Sequence, residues 1–354
     1  MSWRIVPREP RPGDRARVLV VSALAAAVVG GGLLALHGSP PLGVLYALMV
    51  EPFTRASSLS ETLLIATPIA LCALSVSLAR WMGLWNIGAE GQLVLGAFAA
   101  AGIALHTPGP TPTLGVPLLL AAGALAGAVW AAGPALLRTR LGVSEILSTL
   151  MLNYVAVAWI ELWIYGPWKD PKGYPYTVSL APEWMIPAVW GRLHGAFLLV
   201  PLLAAGLAWL HRWTLFGYQA RLIGASPEAA RYAGLPVGER QLTALFGAGA
   251  LAGVAGAIEV AGVHHRLEGA VSAGYGYTAI LAAFIAGARP GWAVVVSVLL
   301  AGMDVGAISA LVDYPDVPSA LVEVIKGVLF VTLLSGEALT RLRIRRGGAH
   351  GEAA

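Results

Sequence analysis

About ten separate stretches of this chain are each long and apolar enough to cross a lipid bilayer, which leaves few folds open to it. A crossing helix needs roughly 20 mostly apolar residues, because each rises about 1.5 Å through a hydrocarbon layer about 30 Å thick. The candidate spans are 16–36, 59–79, 87–105, 113–137 and 144–166, then 196–210, 241–263, 277–288, 291–312 and 318–336. Only 12% of the 354 residues are charged, about half the share usual in a soluble domain. Backbone polar groups in lipid must be satisfied within their own segment, so the expected fold is all-α, a polytopic integral membrane protein of about ten transmembrane helices. The span at 277–288 is short and abuts Pro290 and Gly291, which makes it either a half-helix or one arm of a tight hairpin. The apolar run after Arg17 ends without a small-residue cleavage site, so it is expected to stay as a span and not to be removed as a signal. The single cysteine, Cys72, lies inside an apolar run, so there is no disulfide scaffold.

Arginine placement sets the orientation. With the N-terminus in the cytoplasm, that side collects Arg4, Arg8, Arg11, Arg15, Arg17, Arg80, Arg138, Arg140, Arg212, Arg221, Arg231, Arg240 and Arg289. The C-terminal Arg341, Arg343, Arg345 and Arg346 join them. Arg55, Lys169, Lys172, Arg192 and Arg266 fall on the other side, and Lys326 lies within a span. This bias follows the positive-inside rule. It makes both termini cytoplasmic, with tails at 1–15 and 337–354, and puts the loop 211–240 on the same face. Five spans precede the outer loop at 167–195 and five follow it, so the halves run in opposite directions, a 5+5 inverted topology. No residue-level self-similarity accompanies it. Residues 1–354 read as a single transmembrane domain. The outer loop is rich in Pro, Trp and Tyr, which suits the membrane interface and a surface for an extracytoplasmic partner.

The loop 211–240 interrupts the apolar pattern with Arg212, Arg221, Glu228, Arg231, Glu239 and Arg240. Within it, GASPEAARYAGL carries the start and stop signals of a short helix. Ser226 is a suitable N-cap, Pro227 fits the first helical position, and Glu228 favours the positive end of the helix dipole. Gly234 can end the helix and Pro236 prevents its resumption. A small capped helix on the wet face of a membrane protein is a docking element; the plainer alternative is an ordinary solvated loop.

A second polar stretch is GLWNIGAEGQLVLGAF, from Gly83 to Phe98. Asn86, Glu90 and Gln92 sit among Gly83, Gly88 and Gly91, where glycines permit a chain break or close helix contact and Asn86 can cap the next helix. Such a break places polar groups along a pathway. Equally, these residues can simply mark a cytoplasmic helix entrance packed on its neighbour. Ionisable groups inside spans are costly. Glu61 and Glu145 lie near helix starts, whereas Glu161, Glu259, Asp304 and the pair Glu323 and Lys326 lie deeper. Glu323 and Lys326 share a helix face and can neutralise one another. Glu259 follows a small-residue face built for tight helix packing. The candidate substrate-pathway residues are therefore Asn86, Glu90, Gln92, Asn153, Glu161 and Glu259, an interior suited to a neutral solute better than to a bare ion.

Several chemistries have no motif here. There is no G-x-x-x-x-G-K-[ST] phosphate loop, no H-E-x-x-H, no G-x-S-x-G, and no ligand spacing around His264 and His265 for a metal. No catalytic set is expected. The aromatic and basic clusters sit at membrane edges, where anchoring explains them without nucleic acid.

Two motifs carry a family resemblance. TLFGYQARLIGASPEAARYAGL (214–235) resembles the cytoplasmic coupling segment of ABC-importer permeases of the ribose and branched-chain amino-acid type. GLWNIGAEGQ (83–92) is similar to the signature of the nucleoside-import branch, whose receptors are lipoproteins of the basic-membrane-protein type. EILSTLMLNYVA (145–156), LAGVAGAIEVAG (251–262) and SAGYGYTAILAAFIAGARPGW (272–292) support it in the expected order. Trp85 and Tyr277 stand where the family tends to have Phe, and both keep an aromatic.

The resemblance implies a multi-pass permease subunit in a prokaryotic cytoplasmic (inner) membrane, working with ATP-binding cassette subunits, a second permease copy or paralogue, an extracytoplasmic substrate-binding lipoprotein and membrane lipid. ATP and Mg would reside on the ATP-binding subunits, with no cofactor on this chain. It also implies that Gly224, Ala225, Ser226, Pro227, Glu228, Ala229, Ala230, Arg231, Ala233 and Gly234 form the ATPase-coupling segment, the alanines giving a close-fitting surface and Glu228 and Arg231 pairing with the partner. The expected cargo is a nucleoside or related purine compound. The alternatives are a simple-sugar permease of the ribose type, an ion-coupled secondary transporter using Glu161, Glu259 or Asp304, and an integral-membrane enzyme, for which Asp313 and Asp316 are a poor substitute for a catalytic cluster.

Overall fold

The computed structural model describes residues 3–7, 14–109, 112–340 and 342–346. In chain order the elements are β1 (Trp3–Pro7), α1 (Asp14–His37), α2 (Pro41–Met49), α3 (Glu51–Thr54), α4 (Ala56–Arg80), α5 (Ala89–His106), α6 (Pro112–Leu141) and α7 (Glu145–Tyr165). The outer loop carries a hairpin of β2 (Ala188–Trp190) and β3 (Leu193–His194). Then come α8 (Leu199–Trp213), α9 (Leu215–Ala225), α10 (Pro227–Tyr232), α11 (Val237–Ile258), α12 (Tyr275–Ile285), α13 (Pro290–Asp313), α14 (Ser319–Thr340) and β4 (Leu342–Arg346).

Among the described residues nine helices are long and apolar enough to cross a membrane, with Tyr275–Ile285 a shorter apolar helix. The protein is thus an all-α polytopic membrane protein, and its helices fall on the ten expected stretches. The short stretch is a half-helix: 11 residues rise about 16 Å, roughly half the hydrocarbon thickness. The chain ahead of it, from Arg266 to Gly274, has no regular helix.

The chain divides into two compact units, one of residues 1–54 with 303–354 and one of Arg55–Gly302. In the first, α1 lies along α14, joined by reciprocal bonds in which Ser22 Oγ donates to the Thr332 carbonyl (2.9 Å) and Thr332 Oγ1 to the Ser22 carbonyl (3.2 Å). Leu34, Val44, Leu48, Ala310, Val322 and Ile325 build its core. Helix α2 was not expected, because nine residues are too short to register as a span. Also unexpected is the antiparallel pairing of β1 with β4, Trp3 opposite Arg346. Both strands lie in stretches expected as tails, and five residues of mixed apolar and cationic character carry too little alternation to read.

In the second unit α11 packs on α5 and α6 through glycines. A Cβ on Gly253 would collide with the Gly123 carbonyl oxygen, one on Gly249 with that of Gly127, and one on Gly256 with that of Leu93. This small-residue seam lets backbones meet without intervening side chains, the form of packing that works where lipid gives no hydrophobic gain. Helix α4 is the most enclosed, with 89% of its apolar window buried. Helix α11 ends in a π-helical turn at Glu259–His264, after which His265 turns at φ 53°. At the outer ends of α5 and α7, Trp168 stacks on Phe98 with centroids 4.7 Å apart, and Trp163 joins them at 4.9 Å from Trp168. That cluster fits an interfacial aromatic belt.

Candidate functional site

The loop 211–240 forms a helical elbow. Thr214 caps α9 by accepting the Gly217 N–H (3.2 Å), and Ser226 caps α10 by accepting the Ala229 N–H (3.2 Å), with Pro227 at its first position. Helix α10 closes as a Schellman turn: Gly234, at φ 79°, donates to the Arg231 carbonyl and Leu235 to the Ala230 carbonyl. Ser226, Pro227 and Gly234 therefore act as read, whereas Pro236, expected to prevent resumption, stands at the N-cap of α11, which begins at Val237. Glu228, Ala229, Arg231, Tyr232 and Ala233 face outward, whereas Ala230 is buried at 4% exposure against its own chain. Tyr232, 95% exposed, was not foreseen; helical spacing from Glu228 does place it on the outward face.

Helix α9 lies on the turn that links α4 to α5. A Cβ on Gly224 would overlap the Trp81 carbonyl oxygen, and Gly83, at φ 74°, approaches the Gly224 Cα. Around the same turn, the Trp81 ring lies 4.3 Å from that of His211, and Gln241 Nε2 donates to the Met82 carbonyl at 3.4 Å. Trp81 Nε1 donates to the Ala288 carbonyl at 2.9 Å, at the end of α12, and the Arg80 guanidinium lies over the Trp85 ring at 4.1 Å. The elbow thus rests on residues 80–85, with one side of Gly224 against the Trp81 carbonyl and the residue otherwise exposed.

Beyond that turn lies a buried polar knot. Asn86 and Gln92 exchange amide hydrogen bonds (2.8 and 2.9 Å), and Asn86 Nδ2 also donates to Ser75 Oγ on α4 (3.0 Å). Asn153 on α7 accepts the Gly91 N–H and donates to the Ile87 carbonyl, each at 2.9 Å, and its Nδ2 also reaches the Tyr277 hydroxyl at 3.4 Å. Glu90 accepts the Gly276 N–H at 2.7 Å. Asn86 does not cap α5, contrary to expectation; Gly88 holds that position with no side-chain cap, because Asn86 spends its amide on Gln92 and Ser75. Irregular backbone at membrane depth is tolerated only when its polar groups are met, and here Asn153 meets two of them. Glu90 lies in the first turn of α5 and at the start of α12, so one carboxylate serves two positive helix ends.

Glu259 stands in a different group. Its carboxylate is buried, 3.5 Å from His264 Nε2; His264 Nδ1 is 2.9 Å from Glu268, which also pairs with Arg266 at 3.2 Å. The outer loop is strapped to this end of α11: Ile186 N donates to the Ala261 carbonyl and Leu180 N to that of His265, each at 2.8 Å, and Thr177 N to that of Leu267 at 3.0 Å. His194 in β3 is fully buried against Gly262, its two ring nitrogens have no partner, and burial holds its pKa down at about 4.

The structure brings Asn86, Glu90, Gln92 and Asn153 together, with Ser75 and Gly276 as partners the sequence did not single out and Tyr277 as one noted only for its aromatic ring. It sets Glu259 apart at the outer end of α11, although Glu90 and Glu259 both lie within electrostatic reach of buried Cys72. Glu161 is exposed on α7 and makes no ion pair among the described residues. Glu61 pairs with Arg192 (3.2 Å) and Glu145 with Arg138 (3.3 Å), while Lys326 bridges Asp304 (2.9 Å) and Glu323 (3.3 Å), a wider arrangement than the pair expected. Among the described residues no group of three or more His, Cys, Asp or Glu could hold a metal ion.

A family model described as "Branched-chain amino acid transport system / permease component" matches residues 58–334. A glucose ABC transporter permease protein of Haloferax volcanii is 33% identical, over 92% of this chain and 88% of the relative. A guanosine ABC transporter permease protein of Bacillus subtilis is 31% identical, over 79% and 81%. A nucleoside ABC transporter permease protein of Lactococcus lactis subsp. cremoris is 26% identical, over 85% and 86%. No solved structure matches the chain. The ion-coupled and enzymatic alternatives lose their ground here. The apolar helices and the match across residues 58–334 agree: the chain belongs to the branched-chain amino acid transport system permease family and is a multi-pass, inner-membrane permease subunit of an ABC importer.

Proposed function

We propose that this permease carries a nucleoside or related purine compound into the cell, with residues 1–354 acting as one permease domain. In this reading α10 seats in a groove of an ATP-binding subunit, which holds the ATP and Mg and performs the hydrolysis. A second permease, identical or paralogous, and an extracytoplasmic binding lipoprotein complete the importer. The observation that carries the coupling role is α10 itself, a helix capped at both ends whose Glu228, Ala229, Tyr232 and Ala233 face outward while Gly224 rests on the Trp81 carbonyl. Closure of the ATP-binding subunits displaces α10, and α9 passes that displacement to the turn at 81–88. Binding energy can shift the inward–outward equilibrium because the groove contacts differ between the two states. Asn86, Glu90, Gln92 and Asn153 then act as the polar hinge region of the pathway, with Glu259 nearer its outer mouth.

The nucleoside reading rests on the motif at 83–92 and on relatives named for guanosine and for nucleosides. A relative named for glucose, at 33% identity, favours a simple sugar as the second reading. Both are neutral, hydroxyl-rich solutes that suit amide side chains. The test is uptake of labelled guanosine and, in parallel, of labelled glucose by vesicles holding the permease with its ATP-binding and receptor subunits, the guanosine arm challenged with excess unlabelled glucose or adenosine. ATP-dependent guanosine uptake blocked by adenosine and untouched by glucose is the expected result. Glucose uptake without guanosine uptake would replace it with the sugar reading.

A further inference from the structure

Between the cytoplasmic end of α6 and the first turns of α7 lies a groove of about 660 Å³. Leu136, Leu137, Leu141 and Met151 line it, and the polar side chains in its lining are Arg140 and Ser148. Leu141 is 71% exposed and Met151 49%, so the groove opens away from the protein. A tight turn fixes its two walls, with Gly142 at φ 68° and Val143 N donating to the Leu137 carbonyl. Gly133 forms part of the floor, and the nearest atom a Cβ there would meet is Leu152 Cδ1 at 3.9 Å. Charge is divided unevenly at this end. Arg138 is paired with Glu145, but Arg140 has no carboxylate within 4.0 Å among the described residues.

We infer that this groove is a binding site for one anionic phospholipid of the cytoplasmic leaflet, its acyl chain along the leucines and its phosphate on Arg140. The two halves of the site match the two halves of such a lipid. The apolar wall sits at membrane depth, and the unpaired guanidinium sits within a turn of the cytoplasmic connection at 142–144. Basic pockets between transmembrane helices on the cytoplasmic side hold anionic head groups in this way, each Arg near the surface contributing about 1 kcal/mol. A site there ties the α6–α7 hairpin to the lipid composition of the inner leaflet, one helix away from the Asn153 side of the polar knot.

The experiment is native mass spectrometry of the purified full-length permease supplied with equimolar phosphatidylglycerol and phosphatidylcholine carrying the same acyl chains. The wild type is expected to retain phosphatidylglycerol about fivefold over phosphatidylcholine, the ratio equivalent to about 1 kcal/mol. Arg140→Gln should bring the two lipids level, and Gly133→Phe, whose Cβ meets Leu152 Cδ1 only at ordinary contact distance, should lower retention of both. Equal retention by the wild type would overturn the assignment, and so would selectivity that survives Arg140→Gln. A Gly133→Phe variant that changes the oligomeric state while keeping its lipid would assign the groove to a contact between permease chains instead.

Discussion

The carboxylate of Glu90 accepts the Gly276 N–H at 2.7 Å across 186 residues of sequence, tying the first turn of α5 to the start of the half-helix α12. Trp81 holds the other end of α12 through the Ala288 carbonyl, and Ala288 itself sits at φ 57°. The half-helix is therefore fastened at its start by the first turn of α5 and beyond its end by the turn that receives the elbow.

Removing the Glu90 carboxylate should loosen α12. Glu90→Gln keeps an acceptor but gives up the charge, at about 1 kcal/mol, whereas Glu90→Ala leaves a buried N–H unmet, at about 1–3 kcal/mol. Thermal unfolding in detergent should rank wild type above Gln and Gln above Ala. Equal stability of Ala and wild type would show that the cap contributes nothing.

Asn153 meets two backbone groups of the irregular segment at once, so Asn153→Leu should cost about 2–4 kcal/mol despite the similar volume. Asn153→Asp keeps the acceptor for Gly91 but loses the donor to Ile87, and should fall between. Hydrogen exchange at residues 86–92 checks this: the Leu variant is expected to lose protection there before it loses it in α4.

His194 gives the outer hairpin an acid limit. Its folded pKa is held at about 4 by burial, below the 6.5 of a free imidazole. Between these values the unfolded chain takes up a proton that the folded chain refuses, so stability is unaffected above about pH 7 and falls as pH drops from about 6.5 to about 4, by about 3 kcal/mol. Melting temperatures from pH 7.5 to 4.5 should show that decline in the wild type and a smaller one in His194→Leu. Parallel curves for the two proteins would remove His194 as its source.

Charge reversal at Glu228, or Tyr232→Ala, should weaken ATP-binding subunit association by about tenfold without changing the melting temperature of the permease, since both side chains point outward. Ala230→Trp is the contrast, expected to destabilise the permease because that position faces its own chain. Unaltered association in both outward variants would place the docking face elsewhere.

The crossing helices were legible because lipid imposes a local rule: enough consecutive apolar residues, with arginines sorted by side. The elbow was legible for the same reason, since Ser226, Pro227 and Gly234 lie within eight positions of one another. What stayed hidden depends on distant chain meeting chain. Nothing near Glu90 announces Gly276, and Asn86 looks like a cap until Gln92 and Ser75 are seen to claim its amide. The burial of Ala230 likewise follows from how α10 lies on its neighbours. Helix α2 and the pairing of β1 with β4 were missed because each is too short for its periodicity to rise above composition.

In the proposed coupling route, motion of α10 passes through α9 to the turn at 81–88, with Gly224 against Trp81 as the bearing surface. The most direct measurement compares Gly224→Val with wild type in reconstituted vesicles, reading subunit association and ATP-driven uptake on the same preparation. Association with the ATP-binding subunits is expected to be retained, because the added Cβ meets the Trp81 carbonyl while Glu228 and Tyr232 keep their outward positions, together with uptake reduced at least tenfold. Uptake equal to wild type, with association intact, would contradict it.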